Sequence, residues 1–362
     1  MKLRLALVGG PMYDGLYEAM GLFDDPGIDI VVHEDHPTLN RAVADLLSNG
    51  GALDVISTHS KYAPSQRSWL QPLDERVDVG SLAPRAVELC RFESVQYCVP
   101  RNIDVRVLWA NRSLCDIENV PSSWDQLASS GLAFGFPGRE SGLFGTLFEI
   151  VTAFGGRLFD TEARAAFLDT HVIEALECLR RISANGPRAM VDWHYDEVDA
   201  AVGRGDVALG AAWPGGTTAL RASASGSDLA PLPYFGDASG PRSYAGCHGW
   251  AVPISTRDEQ SAIDLIQRLC AIETHAIDAA SGAMCAHEKA LEEVEPIDEI
   301  DALRLSITRA TIANGMLTYP PMERFPEVED AAWGAIHAML AERINARETA
   351  EQMQASAEEV LR

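Results

Sequence analysis

The first 60 residues alternate between apolar strands and amphipathic helices, and this order restricts the fold more than any other feature. Residues 3–8 (LRLALV), 28–33 (IDIVVH) and 54–59 (DVISTH) are apolar runs of strand length. Between them, apolar residues recur every three or four positions over 16–23 and 39–47, which is helical spacing. Strand–helix–strand–helix–strand order predicts a parallel sheet with right-handed crossovers, and therefore an α/β fold.

A second α/β set follows later in the chain. Strands are predicted within 132–138, 206–213 and 249–255, and the last 35 residues are predicted to be helical. Two capping boxes, at Thr256–Glu259 and Thr349–Gln352, predict helix starts. A chain of 362 residues has the length of about two domains.

Composition and charge narrow the classes of function. The chain is 47% hydrophobic and 23% charged, as folded globular proteins are, and its formal net charge is −24. That charge repels phosphate backbones, which argues against nucleic acid and anionic membranes as partners. Seven scattered cysteines without a C-x-x-C pair are expected to be small core residues. One disulfide is possible, and Cys90 and Cys98 are the closest pair in sequence.

Sequence signatures of enzymes and metal sites are weak. The chain has no G-x-S-x-G, G-x-x-x-x-G-K-[ST], H-E-x-x-H or G-x-G-x-x-G pattern. The segment HEDH (33–36) contains metal-capable side chains, but residues i and i+3 of a strand point to opposite faces. We therefore predict neither a metal site nor a cofactor.

The segment GDVALGAAWPGG (205–216) ends a buried strand on Trp213 and then removes side chains at Gly215 and Gly216. Ligands of open α/β sheets gather at the carboxyl ends of strands, where Trp213 falls. A large amphipathic ring suits the face of a sugar or polyol. Glycines beside it let such a ligand lie close to the protein backbone. The alternative is an ordinary core aromatic followed by an ordinary turn.

The order of several segments resembles the bacterial family 1 extracellular solute-binding proteins, which are the maltose-binding-protein-like receptors of ABC sugar importers. The segment DVRVLWANRSLCDIENVPSSWDQLA (104–128) resembles the stretch that crosses between lobes in that family. AFGGRLFD (153–160), AAVGRGDVALGAAWPGG (200–216) and GCHGWAVPISTRDEQSAIDLIQRL (246–269) follow in the family's order. The resemblance spans nearly the whole chain, and its specificity lies in the order and spacing of loose motifs.

This resemblance implies a two-lobed periplasmic-binding-protein type II fold with a hinge and an interlobe ligand cleft. The first α/β lobe is expected at 1–109 plus 248–305, and the second at 110–247 plus 306–362. A carbohydrate-type ligand (sugar, polyol or sugar acid) would be captured by lobe closure and passed to the transmembrane subunits of an ABC permease. The protein would act as a monomer without a cofactor.

The family also implies a place for the protein and a set of ligand-binding residues. Its members work in the periplasm or at the cell surface; no signal peptide is visible at the start of this sequence, so a cytoplasmic protein stays an alternative. Carried over by motif, the predicted ligand-binding residues are Tyr13, Asp14, Thr58, His59, Ser60, Asn102, Asp104, Arg106, Arg139, Glu140, Trp213, His248, Trp250 and Arg324.

The sequence also allows two other hypotheses about function. The first is an enzyme on the same fold that resembles the thiamin-degrading transferases, with Cys247 beside His248 as its nucleophile. The second is an intracellular ligand sensor that docks a regulator instead of a permease. Turnover of thiamin that is lost in Cys247→Ala would favour the first, and neighbouring genes for two permease subunits would argue against the second.

Overall fold

A computed structural model describes residues 2–10 and 12–362. Its strands are β1 (Leu3–Val8), β2 (Ile28–Glu34), β3 (Val55–His59), β4 (Arg91–Phe92), β5 (Val95–Gln96), β6 (Val99–Pro100), β7 (Asp104–Val105), β8 (Val107–Asn111), β9 (Phe134–Gly135), β10 (Leu209–Ala212), β11 (Leu229–Leu232), β12 (Gly236–Asp237), β13 (Gly240–Pro241), β14 (Ser243–Gly246), β15 (His248–Ala251) and β16 (Met316–Leu317).

Helices separate most of these strands. They are α1 (Asp14–Ala19), α2 (His36–Ser48), α3 (Ala63–Gln66), α4 (Pro84–Leu89), α5 (Trp124–Ser130), α6 (Glu140–Ala153), α7 (Thr170–Ala184), α8 (Tyr195–Arg204), α9 (Thr217–Ala222), α10 (Glu259–Leu269), α11 (Ile272–Ala280), α12 (Glu288–Glu293), α13 (Glu299–Asn314), α14 (Phe325–Leu340) and α15 (Ala346–Leu361). Among the described residues, no helix combines the length and the apolar character needed to cross a membrane.

The chain divides into two units. Unit 1 comprises Met1–Asp104, Gly246–Glu295 and Pro321–Glu323, and unit 2 comprises Val105–Ala245, Pro296–Pro320 and Arg324–Arg362. These bounds differ from the lobes predicted from sequence. The predicted boundary after residue 109 falls inside β8, whose residues pair with both β10 and β11 of unit 2. The boundary after residue 305 falls inside the continuous helix α13, which packs on β11.

Unit 1 is built on a sheet with the strand order β2-β1-β3-β15-β6. Strand β1 runs parallel to β2 and β3, which confirms the parallel arrangement predicted from the first 60 residues. Strand β15 runs antiparallel to β3 and places His248 opposite His59. The core beneath this sheet joins side chains from β1, β3 and α10, such as Leu7, Val55 and Ile266.

Unit 2 contains a sheet with the strand order β11-β8-β10-β9. Strand β8 runs antiparallel to β10 and β11, and β9 runs parallel to β10. Helix α6 packs against α7 and α14 and is buried on almost every side, which explains why residues 143–151 are apolar apart from Thr146 and Glu149. This burial also places Glu149 of α6 inside the unit.

Two helix starts differ from the capping boxes predicted from sequence. Helix α10 is capped by Asp258, whose side chain accepts a hydrogen bond from the Ser261 backbone N–H, while the Thr256 hydroxyl donates to Asp54. Helix α15 begins earlier than predicted, because Asn345 and Glu348 form its capping box. Both predicted segments therefore match the sequence pattern of a capping box, but neither caps its helix in the structure.

Candidate functional site

Trp213 lies directly after β10 and is the centre of a group of side chains in unit 2. The ring centroids of Tyr195 and Tyr244 are each 6.0 Å from that of Trp213, in edge-to-face arrangements. The guanidinium carbon of Arg106 lies 5.1 Å from the centre of the indole. Trp213 itself is half-buried. We call Arg106, Tyr195, Trp213, Tyr244 and Tyr319 the unit 2 set.

Arg106 is buried and held by helix α6. Its Nη1 donates to Thr146 Oγ1 at 3.0 Å and to Glu149 Oε2 at 3.1 Å. Glu149 also accepts hydrogen bonds from the Tyr244 backbone N–H at 2.7 Å and from the Tyr234 hydroxyl at 3.0 Å. Burial acts to lower the pKa of Arg106, but the Glu149 carboxylate together with Tyr234 and Tyr195 raises the pKa by more, so the guanidinium keeps its charge.

Three polar atoms of the unit 2 set are buried and have no hydrogen-bond partner within residues 2–10 and 12–362. They are Nη2 of Arg106 and the hydroxyl oxygens of Tyr244 and Tyr319. The rings of these two tyrosines lie 4.9 Å apart. An unpaired buried polar group costs about 1–3 kcal/mol, so these atoms favour a ligand that hydrogen-bonds to them.

Arg139 and Glu140 stand at the start of α6. Arg139 Nε donates to the Asp192 carbonyl at 2.9 Å, which fixes the guanidinium beside this turn. Glu140 has a φ of 54°, in the left-handed region that non-glycine residues rarely occupy, and its carboxylate lies 3.4 Å from His194 Nε2. His194 contacts Tyr195 of the unit 2 set edge-on, with ring centroids 4.5 Å apart. The predicted pair is therefore linked to Trp213 through His194 and Tyr195, neither of which was among the predicted site residues.

Gly216 has a different role from the one inferred from sequence. A Cβ atom at this position would lie 2.3 Å from Asp199 Oδ2. The missing side chain therefore makes room for the half-buried Asp199. Burial raises the pKa of this carboxyl group to about 8, with a further contribution from Asp196.

Three histidines meet at the ends of strands in unit 1. His36 follows β2, His59 ends β3 and His248 begins β15. Their ring centroids are 4.9 Å apart for His36–His248 and His59–His248, and 5.3 Å apart for His36–His59. We call these three residues the histidine cluster. His36 was not among the predicted site residues, since HEDH was considered only as a metal site.

Aromatic and charged side chains surround the histidine cluster. The Tyr13 hydroxyl is hydrogen-bonded to His248 Nε2 at 2.9 Å. Tyr62 stacks on His36 at 5.0 Å, and Lys61 Nζ lies 4.7 Å from the centre of the Tyr62 ring. Both ring nitrogens of His36 and Nδ1 of His248 are buried without a hydrogen-bond partner among the residues described. Unit 1 thus combines aromatic faces with polar atoms that suit a hydroxylated ligand.

Burial keeps the histidine cluster neutral. It lowers the pKa values of His36 and His59 well below the usual value. Repulsion between neighbouring imidazoles, which would arise if they were protonated, lowers these pKa values further. Burial likewise lowers the pKa of His248 to about 3, with Arg101 and Lys61 acting in the same direction. Neutral imidazoles carry one donor and one acceptor nitrogen each, as hydroxyl recognition requires.

We expect the histidine cluster to make the protein less stable in acid. Unfolded histidines take up protons below about pH 6.5, whereas the folded cluster does not, so this stability is present above pH 6.5 and is lost as pH falls toward about 3 for His248. At pH 5 the loss is about 2 kcal/mol for each such histidine. Urea unfolding at pH 7 and pH 5 measures this loss. It should shrink by about that amount in His248→Gln. An equal loss in His248→Gln and the wild type would contradict the assignment.

Several predicted residues of unit 1 form hydrogen bonds that hold the strand ends on which the histidine cluster lies. Asn102 Oδ1 accepts a hydrogen bond from the His248 backbone N–H at 2.9 Å, and Asn102 Nδ2 donates to Asp104 at 2.8 Å. The Ser60 backbone N–H donates to the Cys247 carbonyl at 2.8 Å. Burial raises the pKa of Asp104 to about 7, although nearby Arg101 acts to lower it. These residues fix the ends of β3 and β15, and so the places of His59 and His248.

Other predicted residues are engaged elsewhere. Trp250 is 1% exposed and lies in the hydrophobic core of unit 1, with Tyr17 and Arg101 against its ring, so it packs the core instead of facing a ligand. The buried Thr58 hydroxyl donates to Gln66 at 2.6 Å. The remaining two, Asp14 and Arg324, are paired with His33 at 2.8 Å and with Glu327 at 3.3 Å.

Comparison with known proteins places this architecture in a class. The T. maritima protein MalE3 bound to maltose has 16% identity and a TM-score of 0.85, over 99% of both chains. A ribitol complex of a solute-binding protein from Agrobacterium radiobacter K84 has 17% identity and a TM-score of 0.85, over 99% of this chain and 98% of that chain. A tagatose complex from Thermotoga lettingae TMO also has 17% identity and a TM-score of 0.85, over 100% of both chains. The fold is therefore that of the two-lobed periplasmic binding proteins.

The sequence identifies the family within this class. The profile of the family described as bacterial extracellular solute-binding protein matches residues 12–268, which is more than two-thirds of the chain. The chain belongs to this family, as the resemblance in the sequence predicted. A comparison with curated proteins gives no match.

Proposed function

We propose that this protein is the solute-binding component of an ABC importer and that its ligand is a small carbohydrate-type molecule. The observation that carries the proposal is the unit 2 set: an indole beside Arg106 Nη2 and two tyrosine hydroxyls that are buried without partners among the described residues. Sugars and polyols present C–H groups on their faces and hydroxyl groups at their rims. An aromatic plate fits the faces, and unpaired polar atoms fit the rims.

The charge of the unit 2 set favours a neutral ligand over an acidic one. The guanidinium carbon of Arg106 lies 5.1 Å from the centre of the indole, and its charge is already balanced by the buried carboxylate of Glu149 at 3.1 Å. A carboxylate ligand on Arg106 would compete with this internal partner, whereas a hydroxyl oxygen needs only the free Nη2. Within the carbohydrate class, we therefore place sugars and polyols ahead of sugar acids.

The ligands of similar structures support the same class. Maltose, ribitol and tagatose differ in size and ring form, but all three are neutral and polyhydroxylated. The histidine cluster of unit 1 offers matching chemistry, since its free nitrogens can donate or accept a hydrogen bond and its aromatic neighbours provide apolar faces.

The geometry around Cys247 favours binding without catalysis. Burial raises the pKa of the Cys247 thiol, which disfavours the thiolate that a nucleophile needs. Its Sγ lies 3.5 Å from Cys90 Sγ and donates to the His248 carbonyl at 3.4 Å. The His248 ring is instead hydrogen-bonded to Tyr13, so it is not placed as the base of a Cys–His pair.

Membership of the family also suggests the location of the protein and its partner. We propose that it is exported, acts as a monomer and delivers its ligand to the transmembrane subunits of a permease. Its net charge of −24 argues against nucleic acid as a further partner. Deleting the gene should abolish uptake of the ligand by intact cells while leaving uptake of an unrelated solute unchanged; normal ligand uptake would contradict the importer role.

A thermal-shift screen tests the ligand class. A bound ligand at ~100 times its Kd stabilises the folded state by about 2.7 kcal/mol. We expect at least one neutral sugar or polyol to raise the Tm of the wild-type protein, and sugar acids to raise it less. Amino acids and peptides at the same concentrations serve as the control classes. Stabilisation by an amino acid or peptide, with none from any carbohydrate, would overturn the proposal.

A further inference from the structure

Three buried thiols lie together in unit 1. Cys90, Cys98 and Cys247 are each at most 2% exposed. The Sγ atoms of Cys90 and Cys247 are 3.5 Å apart, and Cys98 Sγ lies 3.9 Å from the Cys90 carbonyl oxygen. Cys90 is thus the central member of the group, with Cys247 as its direct sulfur neighbour.

The backbone on both sides of the Cys90–Cys247 contact is fixed. Cys90 caps the end of α4, and its N–H donates to the Val87 carbonyl at 3.1 Å. Cys247 connects β14 to β15, and its backbone exchanges two hydrogen bonds with Ser60. Since 157 positions separate the two cysteines in sequence, their proximity is produced by the fold of unit 1 and not by chain connectivity.

We propose that Cys90 and Cys247 form a disulfide bond when the chain folds in an oxidising compartment. Their sulfurs are already 3.5 Å apart, so bond formation has to close only the remaining separation to the S–S length of a disulfide, about 2.05 Å. The family to which the chain belongs is extracellular, and disulfides persist in such surroundings. This inference concerns a covalent site and is independent of the ligand proposed above.

The oxidant we assign is a small-molecule disulfide such as oxidised glutathione. The Cys90 thiolate attacks one glutathione sulfur, forming a mixed disulfide and releasing one glutathione thiolate. The Cys247 thiol then loses its proton and attacks the Cys90 sulfur, which forms the Cys90–Cys247 bond and releases the second glutathione thiolate. Two protein thiols are oxidised, one glutathione disulfide is reduced to two thiols, and the two protons go to solvent or to the released thiolates.

The exchange takes place during folding and not in the native state. Both thiols are inaccessible in the folded chain. The hydrogen bond with Cys247 raises the pKa of the Cys90 thiol and burial raises that of the Cys247 thiol, so neither attack can start there at a useful rate. The bond would tie the end of α4 to the strand that begins with His248, one of the histidine cluster. It would therefore fix the position of that imidazole as well as link distant segments.

Cys98 is the competing partner for Cys90. It is only eight positions away in sequence, and short separation alone favours Cys90–Cys98. In the fold, the Cys98 thiol also interacts with the Cys90 thiol, but its Sγ donates to the Cys90 carbonyl oxygen at 3.9 Å, while the Cys247 sulfur lies 3.5 Å from the Cys90 sulfur. The geometry thus predicts Cys90–Cys247 with Cys98 as a free thiol.

Refolding and peptide mapping decide between these pairings. The full chain is denatured, reduced, refolded in mixed reduced and oxidised glutathione, quenched with acid and alkylated under denaturing conditions. We expect native circular dichroism, two fewer alkyl adducts than the fully reduced chain with its seven cysteines, and a linked peptide pair containing Cys90 and Cys247. Seven adducts on the natively refolded chain, or a linked pair joining any other two cysteines, would overturn the proposal.

Cysteine variants provide a second test of which two cysteines form the bond. Cys98→Ser and Cys270→Ser should each keep the linked Cys90–Cys247 peptide, because neither removes a bonded sulfur. Cys90→Ser should show every remaining cysteine alkylated; a disulfide that persists in it through Cys247 would overturn the proposal. If Cys90→Ser does not fold, the wild-type map still decides. The Tm of the oxidised wild type should fall by about 10 °C on reduction, since a bond closing so long a loop restricts the unfolded chain strongly.

Discussion

Trp213→Ala is expected to weaken ligand binding about 100-fold, equivalent to about 2.7 kcal/mol, while the protein stays folded. The indole is the largest apolar surface of the unit 2 set and is only half-buried by the protein itself. A sugar face against it gains both contact area and exclusion of water from the neighbouring Arg106 and Tyr244. Removing the indole takes away both effects.

Titration calorimetry with the strongest carbohydrate from the screen measures this loss. Trp333→Ala is the matched control, since Trp333 is also a half-buried tryptophan of unit 2 but lies on α14 and contacts His337. The control should bind within a few-fold of the wild type. Unchanged affinity in a folded Trp213→Ala protein would remove Trp213 from the site.

Glu149→Ala is expected to lower the free energy of unfolding by about 3–5 kcal/mol. The substitution leaves the Arg106 guanidinium buried without its carboxylate, and it also removes the acceptor for the Tyr234 hydroxyl and the Tyr244 backbone N–H. A buried charge that loses its partner is far more costly than an exposed one, because water cannot replace the partner.

Urea unfolding of purified variants at neutral pH measures this effect. The matched control is Glu177→Ala, which breaks the exposed pair between Glu177 and Arg180 at 2.8 Å on α7 of the same unit. Exposed pairs contribute about 0–1 kcal/mol, so the control should differ little from the wild type. A loss in Glu149→Ala no larger than in the control would show that the buried pair does not hold this part of unit 2.

The sequence predicted those parts of the fold that depend on local periodicity. Strand β1 has the predicted bounds, and β2 and β3 lie within a residue of theirs, because apolar runs of strand length between helical repeats leave few other structures. Helix starts were less predictable. Thr256 and Asp258 are both good capping residues, and only the tertiary contact between Thr256 and Asp54 decides which one caps α10.

The candidate site was partly visible because Trp213 ends a buried strand beside two glycines. Its neighbours were not visible. Tyr244 and Tyr319 come from segments far apart in sequence, and only the folding of unit 2 brings their rings to 4.9 Å. His36 meets His59 and His248 in the same way, through strand order in a sheet. The spacing of residues along the sequence does not show which distant residues come into contact. Residue type and position at the end of a strand were therefore the only sequence signals for this site.

A crystal structure with the strongest carbohydrate from the thermal-shift screen tests the central claim most directly. We predict a sugar or polyol whose C–H face lies about 4 Å from the indole of Trp213, with one hydroxyl oxygen within hydrogen-bond distance of Arg106 Nη2. A carbohydrate bound elsewhere on the protein, with the indole and the Arg106 Nη2 atom free of it, would contradict the account.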